Sequence, residues 1–282
     1  KRGGYMALDT DLALESYVSE RAGKLEGVRT RERFDEAAEF TITEITVESE
    51  AAAKRLQKPC GTYITLETEA PLYEYHPNFS ARYEALAREL SKVCKGGSTL
   101  FVGLGNRRIT ADSLGSLAAD SVFATRHIKR LARELDTSEL TETTVISPGV
   151  MAQTGAESSE IAAAVCREVR PQQVIVCDAL ACSQPAHMGH TIQISSAGIA
   201  PGSGVDNSRA ELSEKYLGVP TVAIGVPTVS RLLFSHEGMS DLLITPKPID
   251  KLAAQASTLI SAAVNIYLHP SLSAEDIASL IM

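Results

Sequence analysis

Four short runs, TLFV at 99–102, TVI at 144–146, VIVC at 174–177 and TVAIG at 221–225, set the tightest limit on what this chain can fold into. They are rich in β-branched residues and nearly uniform in hydrophobicity, where a strand with one wet face would alternate. A strand that is apolar on both faces has to be covered on both, and segments of helical spacing lie between these runs. A sheet of parallel strands with helices on each side satisfies both conditions. The expected fold class is therefore α/β, with a mostly parallel sheet and helices on both faces, and TIQIS at 191–195 reads as one more strand.

Ahead of this block, FTITEITV at 40–47 and TYITLE at 62–67 have strand composition. Ser49 is placed to cap a short helix over 50–56, and Ser80 to open a longer one carrying Leu86, Leu90 and Val93 and ended by Gly96-Gly97. A helix is predicted over 113–131, and Thr154 with Glu157 three residues on has the spacing of a capping box. Residues 248–269 place Ile249, Leu252, Ala256, Leu259, Ile260 and Ala263 on one stripe, predicting a long closing helix. The organisation expected is an extension over 1–38, a small α+β segment over 39–97 packed on the core, and an α/β domain over 98–282.

Composition excludes several classes. The net charge of the 282 residues is −8 and no Lys/Arg block occurs, so the electrostatic footprint of a nucleic-acid binder is missing. No apolar run approaches the ~20 residues that span a bilayer, and the first residues carry no apolar stretch of a secretory signal. Five cysteines with no CxxC spacing suit reduced thiols in a cytoplasmic setting.

In a sheet of this kind ligands sit beyond the carboxyl ends of the strands. Three segments arrive there: Gly103-Leu104-Gly105-Asn106 through Asp112, 148–157, and 178–190. Two of them bring an aspartate. Like charges held together in a poorly solvated cleft cannot both stay ionised, so Asp112 and Asp178 would share one proton. The ionised member can activate a water while the protonated one polarises a carbonyl and then serves the leaving amine. The same residues have plainer readings that stay open: Asp112 precedes a helix and can cap it, and Asp178 can cap a turn or pair with an arginine. The backbone N–H groups of Gly103, Gly105 and Asn106 are candidate oxyanion donors, and Thr154 and Glu157 candidate substrate contacts. The turn is no dinucleotide fingerprint, because Arg108 stands where the third glycine belongs, and no P-loop lysine follows. His187 and His190 have HxxH spacing without a third ligand nearby.

The blocks FVGLGNRRITADSLG, ISPGVMAQTGAESSE, VIVCDALA, TIQISSAGIAPGSGV and LGVPTVAIGVPTV, in this order, resemble the core of the germination protease (spore protease) family, and TDLALE and ITPKPID resemble its end segments. The resemblance implies an atypical aspartic endopeptidase that degrades small acid-soluble spore proteins in the cytoplasm of the spore core. It implies a fold similar to hydrogenase-maturation proteases, a homotetramer, no cofactor and no metal, and no membrane or nucleic-acid partner. Its catalytic aspartates fall on Asp112 and Asp178. It also implies a self-processing zymogen, cut between Asp11 and Leu12 within an acid–aliphatic–Ala–x–Glu stretch that is similar to the target in the spore proteins. The chain departs from the family in three places: Ser183 stands for an arginine, Ser196 for an acid, and only 230–244 separates blocks between which longer members carry an insert. Two rivals remain. One is a metal-dependent peptidase using Asp112, Asp178 and His187 or His190. The other is a catalytically silent homologue that binds a peptide or nucleotide at the GLGN crevice.

Overall fold

The computed structural model describes residues 10–20, 25–131, 136–200, 211–232, 242–273, 276 and 279. In chain order the first half holds α1 (Ala13–Ser19), β1 (Val28–Asp35), β2 (Phe40–Val47), α2 (Glu50–Leu56), β3 (Gly61–Glu67), α3 (Phe79–Val93), β4 (Thr99–Gly103), α4 (Leu114–Ser121) and α5 (Arg126–Leu131). The second half holds β5 (Thr143–Ile146), α6 (Met151–Thr154), α7 (Ser158–Val169), β6 (Gln173–Cys182), β7 (Thr191–Ser195), α8 (Glu214–Leu217), β8 (Thr221–Leu232), β9 (Leu242–Ile244) and α9 (Ile249–Leu268).

The strands form one sheet in the order β1-β2-β3-β7-β8-β6-β4-β5, with β9 paired to the far end of β8. The pairs β8–β6, β6–β4 and β4–β5 are parallel; α4 and α5 lie between β4 and β5, α6 and α7 between β5 and β6, and the path from β6 to β8 passes through β7. The pairs from β1 to β8 through β7 are antiparallel, so the sheet is mixed. The N-terminal strands continue the same sheet, joined to it through Tyr63↔Ser195 to Glu67↔Thr191. Both faces are covered. Ile64, Phe101, Ile175, Cys177, Ile192, Ile194 and Ile224 pack under α3, α4 and α9. On the opposite face Leu100, Val102, Val174 and Val176 meet Ala162 and Cys166 of α7, while Ile45, Val47 and Tyr63 meet α1 and α2. The stripe of α9 lies where its spacing puts it, with Leu252, Ala256, Leu259, Ile260 and Ala263 all buried. Among the described residues no helix is long and apolar enough to cross a membrane.

Three local expectations change. Residues 28–35, read as part of an extension, are an edge strand; its alternation is hidden because VRTRERFD has no buried residue on either face. The helix over 113–131 is two helices, broken at Val122, which is extended at φ −85°, ψ 128°. Asn265 of α9 fills the gap, its Oδ1 accepting from Phe123 N–H and its Nδ2 donating to Ser121 C=O. The capping box also moves by three residues. Glu157 is itself the N-cap of α7 and pairs reciprocally with Glu160, whereas Thr154 closes the single turn of α6 and donates to Val150 and Ala156 carbonyls.

Candidate active site

Asp178 lies in β6 one residue past the end of its pairing with β4, which stops at Gly103↔Cys177. Its side chain is buried, and Oδ1 accepts from its own neighbour Ala179 N–H at 2.9 Å. Alternation along the strand puts Asp178 on the same face as Val176 and Leu180. Asp112 ends a single 3₁₀ turn, Thr110–Asp112, in the connection from β4 to α4. Its Oδ2 accepts from Asn106 N–H at 2.8 Å. Close backbone packing draws this turn toward β6 and β8. A Cβ on Gly103 would collide with the Gly115 carbonyl, and one on Gly115 with the Cys177 carbonyl. Gly105, at φ +101°, leaves no room for a side chain beside the Asp112 carbonyl. Leu104 N–H donates to Cys177 C=O at 2.8 Å, and Thr228 of β8 donates through Oγ1 to Ala111 C=O at 2.7 Å. The two aspartates thus sit on segments fastened to one another, Asp112 in the connection beyond β4 and Asp178 inside β6. Strand β6 does not end at Asp178, as the sequence suggested, but runs on to Cys182.

Of the other residues singled out, Asn106 joins this region by accepting from Gln153 Nε2 at 2.7 Å, which ties the GLGN turn to α6. The hydrogen bonds of Thr154 and Glu157 serve the two helix ends. His187 and His190 turn to different partners: His187 Nδ1 is 2.6 Å from Glu15 Oε1, and His190 Nδ1 is 3.0 Å from Thr68 O. Among the described residues no group of three or more His, Cys, Asp or Glu side chains is arranged to hold a metal. Burial pushes the Cys177 and Cys182 thiols up, Cys182 to about 12, so neither is a thiolate at neutral pH.

The N-terminal segment lies against the second half of β6. Asp11 N–H donates to Ala181 C=O at 2.9 Å, and Ala181 N–H donates to Asp11 Oδ2 at 2.8 Å, so both backbone groups of Ala181 are engaged. Lys58 Nζ donates to Thr10 C=O at 2.7 Å. Leu12 is fully buried against Leu180, Cys182 and Met188, worth about 1.5–3 kcal/mol for a side chain of its size. Gln193, in the middle of β7, spans the Asp11–Leu12 peptide. Its Nε2 donates to Asp11 C=O at 2.9 Å while its Oε1 accepts from Ala13 N–H at 2.7 Å. That second bond satisfies an otherwise unpaired N–H at the start of α1, which has no side-chain cap of its own. Beside Asp11 a cavity of about 190 Å³ opens, lined by Lys58, Tyr63, Leu180, Gln193 and Gly225, the last being the register partner of Asp178.

Three residues later Glu15 is fully buried, and both its oxygens accept hydrogen bonds. Burial opposes its ionisation, but bonds from His187, Thr10 and Ser183 overcome this and hold its carboxyl down at about 2. His187 is raised in turn, chiefly by its hydrogen bond to Glu15. Burial lowers Lys58, against the opposing pull of Asp11 and Glu15. Gln193 and Lys58 escape sequence reasoning. The one available signal was a glutamine set between two isoleucines in the TIQIS strand.

A family model described as germination protease matches residues 9–234. The germination protease of Clostridium tetani is 34% identical over 323 aligned positions, covering 97% of this chain and 99% of that protein. That of Bacillus cereus is 39% identical over 232 positions, covering 78% of this chain and 62% of that protein. Since 323 positions exceed the 282 residues here, the Clostridium tetani protein carries segments that this chain lacks. Among solved structures, the NiFe hydrogenase maturation protease HycI from Thermococcus kodakarensis is 19% identical and covers 64% of this chain and 98% of that one, at a TM-score of 0.38. Matched along most of its length, and more than 30% identical to relatives that it covers nearly end to end, the chain belongs to the germination protease family and is a peptidase.

Proposed function

We propose that this peptidase is an aspartic endopeptidase that cuts its own chain between Asp11 and Leu12 and then acts on small acid-soluble spore proteins carrying the same acid–aliphatic–Ala–x–Glu stretch. The reading includes synthesis as a zymogen, a homotetrameric assembly and a location in the spore core. The observation that carries it is the position of the Asp11–Leu12 peptide, straddled by Gln193 and bonded to β6 three residues from Asp178.

Asp112 and Asp178 hold one proton between them. The ionised carboxylate takes a proton from a water, whose oxygen attacks the Asp11 carbonyl carbon. As the carbonyl oxygen gains charge, Gln193 Nε2–H is already aimed at it. The Leu12 nitrogen then receives a proton from the carboxyl pair, the C–N bond breaks, and the products are a new carboxyl on Asp11 and a new amine on Leu12. Asp112→Asn and Asp178→Asn each test the assignment. Mass spectrometry of the incubated chain is expected to show no fragment beginning at Leu12 in either variant, with thermal melting unchanged. Processing at the wild-type rate in either one rejects the aspartate pair.

A further inference from the structure

Glu15 is a buried acidic side chain held through both of its carboxylate oxygens. Its Oε2 accepts from Ser183 N–H and Ser183 Oγ–H, each at 2.7 Å. Its Oε1 accepts from Gln184 N–H at 2.9 Å and lies 2.6 Å from His187 Nδ1. These four donors come from 183–187, the connection leaving β6, and Thr10 of the segment itself adds a further bond. The pocket is thus built by the body of the protein and filled by the segment. Each carboxylate oxygen faces two donor groups. A glutamine in the same place would set its NH₂ against N–H donors that it cannot accept, and an aspartate would fall a methylene short. A buried carboxylate is tolerated only when it is paired and fully bonded, which this pocket provides.

Resting on the reading that Asp11–Leu12 occupies the catalytic cleft, we propose that Ser183, Gln184 and His187 form the subsite that selects a glutamate as the fourth residue after the cleaved bond. His187 sets its preference for a carboxylate, and Glu15 fills it in cis. The charged groups around His187 fit this role. Glu15 is on one ring nitrogen and Glu67 lies 3.6 Å from the other, so the imidazolium is favoured. Glu67 is itself raised by burial, with His187 acting in the opposite direction.

Two measurements on the full chain test the subsite. The first is hydrogen exchange at the amides of Asp11 to Ser16, which needs no activity. Glu15→Gln is expected to speed this exchange about tenfold or more, the size of a lost charge-assisted bond set. The second is cleavage in trans of two quenched peptides, TDLALESY and TDLALQSY. The glutamate peptide is expected to be cut with a kcat/KM about tenfold or more higher. That preference should fall toward unity in His187→Gln and decline with rising pH in the wild type, which a merely structural histidine would not produce. Ser183→Ala, which removes one of the four donors, should weaken the preference partway, with exchange in α9 checking that each variant is folded. Unchanged exchange in Glu15→Gln, or full peptide discrimination in His187→Gln, overturns the proposal. If no chain cuts either peptide or its own N-terminus, the peptidase mechanism fails, while the exchange result still decides whether the pocket holds a glutamate.

Discussion

Gln193→Ala separates holding the Asp11–Leu12 peptide from cutting it. The substitution deletes two hydrogen bonds, to Asp11 C=O and from Ala13 N–H. At about 0.5–1.5 kcal/mol net for each, docking of the segment weakens by about 1–3 kcal/mol. Burial of Leu12 against Leu180, Cys182 and Met188 is untouched and contributes a similar amount, and the Glu15 bonds also remain, so the segment stays largely in place. Loss of docking alone therefore slows self-cleavage only modestly. The donor aimed at the Asp11 carbonyl oxygen is a different matter, because removing one oxyanion donor typically lowers kcat by about 10²–10³. The expected outcome is a fall in cleavage rate of about 10²–10³, against a gain in hydrogen exchange at Leu12 and Ala13 of about 5–150-fold, the equivalent of that 1–3 kcal/mol. Both are read on the same samples, by intact-mass kinetics and exchange mass spectrometry. Gln193→Glu keeps an acceptor for Ala13 N–H and loses the donor, so cutting should again slow more than docking. Self-cleavage of Gln193→Ala within twofold of wild type refutes a role for this amide in the chemistry.

Docking of the N-terminal segment should have a pH window. Glu15 is held below its ordinary 4.5, so its contribution is present above 4.5 and is lost as pH falls toward about 2. His187 is raised above its ordinary 6.5, so its contribution is complete below 6.5 and is lost as pH rises through the raised value. Exchange protection at the Ser183 and Gln184 amides should therefore be greatest between pH 4.5 and 6.5, and protection that keeps increasing toward pH 9 would contradict the pairing. Gly105→Ala forces a β-carbon into the Asp112 carbonyl at a positive φ. It should destabilise the fold by about 1–3 kcal/mol in a denaturant melt and displace Asp112, so that self-cleavage fails even in the fraction that stays folded.

The parallel half of the sheet was legible because strands buried on both faces have to be apolar throughout: TLFV, VIVC and TVAIG leave a helix or a surface strand little to explain. The same rule made β1 invisible, since an edge strand with no fully buried residue carries charges on both faces and shows no period. The break between α4 and α5 was hidden for another reason. It depends on Asn265, distant in sequence, which bonds the backbone that the broken helix leaves unpaired. Asp178, read as ending an apolar strand, lies inside β6, which runs on to Cys182. Of the two aspartates only the placement of Asp112 beyond a strand end was readable. Gln193 was not, because a glutamine in a strand acquires meaning only from the segment lying across it. Ser183 was visible as a departure from the family pattern, yet its partner Glu15 lies 168 residues away.

The shape of the docked segment accounts for its own sequence. Leu12 is extended, at φ −77° and ψ 121°, and from Ala13 the chain is helical. The peptide reaching Gln193 is thus extended at the Asp11–Leu12 bond and coils immediately after it. On a helical turn residues three apart share a face, so the step from Leu12 to Glu15 aims the leucine at Leu180 and the glutamate at 183–187 together. Ala13 is packed to 1% exposure in the cluster of Ile45, Val47 and Tyr63, so a larger side chain there would have to displace its neighbours. Leu14, on the other side of the turn, is only partly buried, which makes it the position least constrained by the protein. The acid, aliphatic, Ala, free and Glu positions are what a single turn of helix starting at a bonded peptide requires. A substrate matching that pattern in a fully extended conformation would put its glutamate on the wrong side of the cleft. If the segment is the template for substrates, the recognised unit is therefore a short sequence together with its propensity to coil, and a glycine at the Leu14-equivalent position of a peptide should cost more than its exposure suggests.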